Sequence, residues 1–207
     1  MKKLEHGRSM VEMLGVLAII GVLSVGAIAG YQKAMMKYKL NKHTQQIGSI
    51  LDYISIHGDS LPKNTSDFTK ALNVLNIIPK EMIKNYGYKY YDVFNNPVNP
   101  YHNCDGSACY YGLEILIRND DVSVCNNLLI MAKLRSAHLW HIVATRETPN
   151  FEDHEYSDRF YGDNDCYSHR QCLKNLDLST METYCSFCNV SQDCRFYFLW
   201  GFNKQTI

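Results

Sequence analysis

Apolar residues fill the chain from position 10 to 31 almost without interruption, a stretch long enough to cross a bilayer as a helix. Glu12 is its one acid. The pattern then changes without a break. Tyr31, Ala34, Met35 and Tyr38 recur at helical spacing, with Lys33, Lys37 and Lys39 on the other side. Ile47, Ile50, Leu51 and Ile54 form a second stripe at i, i+3, i+4 and i+7. No proline occurs before Pro62, and His57-Gly58-Asp59 offers a stop. The spacing predicts one helix over residues 8–56, lipid-soluble over about 10–31 and amphipathic beyond. The amphipathic half needs a domain to cover it.

Further along, Ser66-Asp67 reads as a helix start, with Phe68, Ala71, Leu72 and Leu75 repeating helically behind it and Pro79 closing the segment. The aromatic stretch 86–94 reads as a strand ended by Asn95-Asn96-Pro97. Residues 110–117, 139–145 and 195–202 are three more strand candidates, and 123–134 a short helix with Cys125, Leu128, Leu129 and Ala132 on one face. A polar, acidic loop is expected over 147–165. A long helix followed by a mixed sheet with short helices is an α+β plan: an N-terminal helix over 8–57 packed on a globular domain over 58–207.

The overall charge adds little. Lysines and arginines balance aspartates and glutamates, so no basic excess points to nucleic acid. The cysteines add more. All eight (Cys104, Cys109, Cys125, Cys166, Cys172, Cys185, Cys188 and Cys194) lie in the second half, beyond the apolar segment. An even number placed there reads as a disulfide-bonded exported domain. Lysines and arginines flank the apolar run on both sides, Lys2, Lys3 and Arg8 before it and Lys33, Lys37, Lys39 and Lys42 after it, so the positive-inside bias does not orient it. The cysteines do, by requiring an oxidising compartment.

The N-terminus carries a more specific signal. A short basic leader, MKKLEHG, ends in Gly7, and Glu12 follows five residues later. A carboxylate inside a membrane-length apolar helix costs roughly 2.5–3.5 kcal/mol on insertion scales and marks a functional position. Together with Ala18-Ile19-Ile20-Gly21 and Tyr31-Gln32, this pattern resembles the prepilin signal of type IV pilins and of the pseudopilins of type II secretion, with type IVb-like features in the globular region. The resemblance covers residues 6–32. It implies a leader of residues 1–7 cut after Gly7 by a prepilin peptidase, and Arg8 as the new and N-methylated terminus. It also implies a carboxylate at Glu12 that faces the terminal amine of a neighbouring subunit during assembly. Two positions depart from the family pattern. Arg8 stands where Phe or Met is usual, and Ala29 where a proline is usual.

The implied protein is a structural subunit of a type IV pilus or a type II secretion pseudopilus, not an enzyme. It would be anchored in the bacterial inner membrane with its domain in the periplasm, then carried in a filament at the cell surface or in the periplasm. The implied partners are copies of itself, other pilins, the peptidase, a platform protein and a cytoplasmic assembly ATPase. Gly26 and Gly30 form a GxxxG face suited to close helix packing in lipid. The alternative is a secreted cysteine-rich binding protein. Met13 to Val25 would then be the core of a signal peptide and Ala27-Ile28-Ala29 its cleavage site.

Eight cysteines allow on the order of a hundred pairings, and the sequence leaves the connectivity open. One arrangement keeps Cys104 with Cys109, Cys166 with Cys172 and Cys188 with Cys194, leaving Cys125 for Cys185. That last bridge would resemble the long-range disulfide that frames the C-terminal region of many pilins. Two metal readings compete with disulfides and solvated acids: zinc on Cys185, Cys188, Cys194 and His169, and calcium on Asp158, Asp163 and Asp165. Neither has a recognised ligand spacing, so no metal and no cofactor is expected. The histidines show no metalloprotease spacing, and no nucleophile elbow or phosphate loop is present.

Overall fold

A computed structural model describes residues 10–84, 89–105, 108–117, 122–146, 157–186, 188 and 194–202. Gly7 and Arg8 lie outside the described residues. The fold is α+β. Helix α1 (Met10–His57) opens it and α2 (Thr65–Val74) follows. Then come β1 (Tyr90–Tyr91), β2 (Pro97–Asp105), β3 (Ala108–Ile117), α3 (Val122–Leu134), β4 (His141–Arg146), β5 (Ser157–Tyr161), β6 (Gln171–Cys172), α4 (Leu178–Cys185) and β7 (Cys194–Phe202). Two compact units divide the chain, one ending at Lys39 and the other beginning at Leu40.

In the second unit the strands form one sheet in the order β1-β2-β3-β7-β4-β5-β6. Every pairing is antiparallel except β5 with β6. The last strand of the chain is central. β7 lies between β3 and β4, which run parallel to each other on its two sides and are joined through α3.

Alternation along the central strands decides which face is covered. Tyr111, Leu113, Ile115 and Ile117 of β3 stand opposite Trp200, Phe198, Phe196 and Cys194 of β7, and all eight are buried. The stripe Ile47, Ile50, Leu51 and Ile54 of α1 belongs to the same core, with Phe68 and Leu72 of α2 and Cys125, Leu128 and Leu129 of α3. Each such side chain contributes about 1.5–3 kcal/mol by leaving water. The second stripe of α1 therefore has the domain that it requires, whereas Tyr31, Ala34 and Tyr38 of the first stripe are exposed.

The structure corrects several sequence expectations. Helix α2 is capped by Asn64, whose Oδ1 accepts from Asp67 N at 2.8 Å, two residues ahead of the expected start at Ser66. Of the expected strand at 86–94, only Tyr90–Tyr91 pairs as a strand, and 85–88 lie outside the described residues. Asn95-Asn96 does form a turn: Asn95 has φ 68°, and Asp92 Oδ1 accepts from Phe94 N and Asn96 N. Pro97 does not end the strand region but begins β2. Its companion Pro100 is tolerated because β1 pairs with β2 only as far as Val98, so at Pro100 that side of β2 is an edge needing no N–H. Residues 157–161, expected in the acidic loop, form β5 against β4.

Candidate functional site

The described residues of the first unit form one helical segment with no packed interior. Met10, Val11, Leu14, Leu17, Val22 and Leu23 are each more than half exposed. α1 is the one helix among the described residues long and apolar enough to cross a membrane. It is a candidate membrane span or signal sequence. Glu12 lies in the first described turn of α1. A Cβ added at Gly15, Gly21, Gly26 or Gly30 would meet nothing within 4 Å. No contact among the described residues demands glycine at these positions, although each costs about 1 kcal/mol of helix propensity in water.

The rest of α1 is held in the second unit by polar contacts around its apolar stripe. His43 and Asp92 are both buried, with Nε2 3.2 Å from Oδ2, a close approach that is not a hydrogen bond. Asp92 accepts from Phe94 N, Asn96 N and Asn96 Nδ2 at 2.8–3.0 Å, so its buried carboxyl oxygens are met by several donors. On the other side of the imidazole, Asn127 Nδ2 lies 2.9 Å from Nδ1. With Asn127 donating there, the ring proton sits on Nε2, towards Asp92.

Four further contacts fix the helix. Gln46 Oε1 accepts from Val93 N at 3.0 Å. Arg135 grips the Asp52 carboxylate with two donors, at 2.6 and 2.9 Å. Lys42 pairs with Glu81. Ser55 Oγ accepts from Trp200 Nε1 at 2.9 Å. Together they fix both the rotation and the axial register of residues 42–55 against the sheet. The sequence reading missed this set. His43 and Asp92 lie far apart in the chain and match no motif, and only their common burial joins them.

The cysteines form four bridges: Cys104–Cys109, Cys125–Cys185, Cys166–Cys172 and Cys188–Cys194. These are the pairs of the one arrangement singled out in the sequence. Cys104 and Cys109 are directly opposite residues of the β2–β3 pair. Cys125–Cys185 ties α3 to α4, and Cys188 Sγ lies 3.8 Å from Cys125 Sγ, so two bridges touch in the core. The zinc reading is contradicted, because Cys185, Cys188 and Cys194 are all in disulfides and offer no thiolate. Of the calcium candidates, Asp163 accepts from Ser136 Oγ at 3.1 Å and Asp158 lines a cleft beside Arg170. Among the described residues the one close group of metal-ligating side chains is His102, Cys104 and Cys109, and two of its members are bonded to each other.

No protein-family model matches this chain, and no curated protein matches it.

Proposed function

We propose that the chain is a pilin-like structural subunit, anchored in a membrane by the first part of α1 and assembled into a filament through that helix. The observation that carries this reading is the continuity of α1 from Met10 to His57 with Glu12 in its first turn. A signal peptide cut at Ala29 would sever this helix midway. A helix whose apolar surface finds no cover within its own unit, and whose later residues are keyed into a disulfide-bonded domain, suits a part that takes lipid or other helices as its partners.

The assembly chemistry follows from low dielectric. An isolated carboxylate in the bilayer is costly, and so is an isolated ammonium. Brought together they compensate each other. In this reading Glu12 takes the amine of an adjacent subunit, freed by cleavage after Gly7, and Arg8 adds a second cation beside it. The pairing sets how far one subunit stands along the filament from the next. Gly26 and Gly30 let neighbouring helices approach closely. Four disulfides suit a domain on the oxidising side of a membrane, which supports this orientation in the reading. A peptidase, a platform protein and an assembly ATPase complete the machinery, with other pilins or copies of the chain as filament neighbours. The chain performs no catalysis in this scheme.

Intact mass of the exported protein tests the proposal. A species beginning at Arg8 is expected, and one beginning at Gly30 overturns it.

A further inference from the structure

Cys104 and Cys109 bridge the turn end of the β2–β3 hairpin, and His102 stands two residues before Cys104. Alternation puts His102 and Cys104 on one face of β2, and cross-strand pairing puts Cys109 on the same face. One imidazole nitrogen and the two sulfurs lie within 4.8 Å of one another. His102 is held from outside the hairpin. Its N–H donates to Thr65 Oγ1 at 3.1 Å, and its carbonyl accepts from the same hydroxyl at 2.8 Å. Its ring packs against that of Tyr111, with centroids 4.8 Å apart.

This bridge is the one most open to attack. Cys104 is exposed and Cys109 partly so, whereas Cys125, Cys172, Cys185, Cys188 and Cys194 are buried. Each of the other three bridges therefore contains at least one buried cysteine. An incoming thiolate must reach a sulfur, and exposed disulfides are accordingly the labile ones. Opening this one leaves the sheet in place. It joins residues only 5 apart, so it restrains little chain. β2 and β3 stay paired from Val98 to Asp105, and β7 holds the other side of β3. The two freed thiols remain opposite each other.

Two thiolates and an imidazole are a zinc-type donor set, with a fourth position left to water. Calcium and magnesium, which take oxygen ligands, are poorly served by it. At a Zn–S distance of about 2.3 Å, two sulfurs on a tetrahedral ion stand roughly 3.8 Å apart. Directly opposite strand residues, with Cβ atoms about 4.5–5.5 Å apart, can supply that spacing. Cys185, Cys188 and Cys194 are locked into core bridges, but the hairpin sulfurs can be freed.

We propose that the turn end of the β2–β3 hairpin is a redox-gated metal site, in which a dithiol opens Cys104–Cys109 and His102 with the two freed sulfurs then binds one zinc-type ion. In the opening step the dithiol attacks one sulfur, forms a mixed disulfide and then closes its own internal disulfide. Two electrons pass to the bridge, and Cys104 and Cys109 are left as thiols. Metal binding displaces their two protons into solvent. The inference does not depend on the filament reading.

The test uses the full-length chain in lipid nanodiscs. Dithiothreitol is titrated in without oxygen and removed by desalting, and alkylation with peptide mass mapping identifies the thiols released. Cys104 and Cys109 are expected first, with the other three bridges intact. Cobalt(II), a coloured stand-in for zinc, is then added to that species. One equivalent should bind with thiolate-to-cobalt charge-transfer absorption and a tetrahedral visible spectrum, and zinc should displace it. The oxidised chain should show neither. Cys104→Ser with Cys109→Ser abolishes the charge-transfer band. His102→Ala weakens binding by at least about tenfold, since loss even of a residue that only supports a metal ligand costs that much. The oxidised parent and His102→Ala keep the test decisive if the double variant does not fold. Release of another bridge before this one overturns the proposal. So does absence of cobalt absorption once both thiols are free, equal binding by the oxidised chain, or binding unchanged in His102→Ala.

Discussion

Trp200 Nε1 donates to Ser55 Oγ at 2.9 Å, and Ser55 donates in turn to the Leu51 carbonyl at 2.8 Å. This joins the last strand to the first helix, and the indole is buried. Ser55→Ala leaves that N–H without a partner, and the expected loss is about 1–3 kcal/mol. In a Trp200→Phe background the same substitution should cost less, because no donor remains to be orphaned. Denaturant unfolding of the four proteins of this cycle measures the coupling, and additive effects would show that the hydrogen bond contributes nothing.

The disulfides differ in the length of chain they close. Cys125–Cys185 spans 60 residues and Cys104–Cys109 spans 5. In the chain-entropy picture the first stabilises by about 4 kcal/mol and the second by about 2 kcal/mol. Burial widens the gap, since Cys125 and Cys185 are in the core and Cys104 is exposed. Paired Cys→Ala substitutions should therefore lower the midpoint of thermal unfolding more for Cys125 with Cys185 than for Cys104 with Cys109. The reverse order would mean that the hairpin bridge, not the α3–α4 bridge, governs the domain.

How much of this was readable beforehand depends on how each element signals itself. α1 was legible because two periodicities run through it unbroken, and the central strands β3 and β7 because their apolar alternation is strong. β2 was not, because Pro97 reads as the end of a strand, and the edge position that admits Pro100 is visible only in the sheet. β5 (SDRFY) is too short and too polar to stand out from the acidic segment around it. The His43–Asp92–Asn127 set joins α1, the β1–β2 turn and α3, so no local spacing announces it. The group of His102, Cys104 and Cys109 has no recognised metal-site spacing in the chain, and the β2–β3 register brings it together. At the N-terminus the position is reversed. The Gly7 and Glu12 pattern is plain in the sequence, while of the two the structure describes only Glu12.

Two glycines are fixed by close packing. A Cβ at Gly162 would lie 1.8 Å from the Leu139 carbonyl oxygen and 2.6 Å from that of Ser136. Both obstacles are backbone, and Gly162 N and Asp163 N are already bonded to Trp140 O and Ser136 O. At Gly112 the obstacle is the Tyr101 ring, 2.2 Å away across the β2–β3 pair. At Gly201 the Trp140 ring is at 3.4 Å, an ordinary contact. Gly162→Ala should be the most damaging, at about 4 kcal/mol or more, Gly112→Ala intermediate because a side chain can turn aside, and Gly201→Ala within about 1 kcal/mol of the parent. Unfolding midpoints in urea rank the three.

On the proposed filament reading, Glu12→Ala separates assembly from folding. Glu12 belongs to the unit that ends at Lys39, and no described contact of the second unit uses it. The variant should keep the disulfides and unfolding midpoint of the parent while losing most of its filaments. Sheared surface fractions or isolated pseudopili, blotted against total protein, give the readout. Parental filament yield from Glu12→Ala would remove the carboxylate from the assembly scheme.

His141 gives the second unit a pH dependence of definite sign. Its ring is buried on the side of the sheet away from α1, beside Trp140 and Tyr161 with centroids at 4.2 and 5.6 Å, and its Nδ1 has no partner among the described residues. Burial, reinforced by the Arg159 and Arg170 guanidiniums, lowers its pKa from the ordinary 6.5 to about 4. The folded chain thus holds a neutral imidazole where the unfolded chain takes up a proton. The associated stability is complete above pH 6.5 and is lost as the pH falls towards 4, by about 3 kcal/mol at most. Asp67, held below its usual 3.8 by Asn64 and Lys70, and Asp177, held below it by Thr180, lose their contributions at lower pH still. Replacing the ring by an apolar one of similar shape should flatten the curve in the upper window alone. Urea unfolding at pH 7 and pH 4.5 is expected to show a smaller loss for His141→Phe than for the parent, and equal losses would mean that the imidazole is protonated in the folded chain as readily as in the unfolded one.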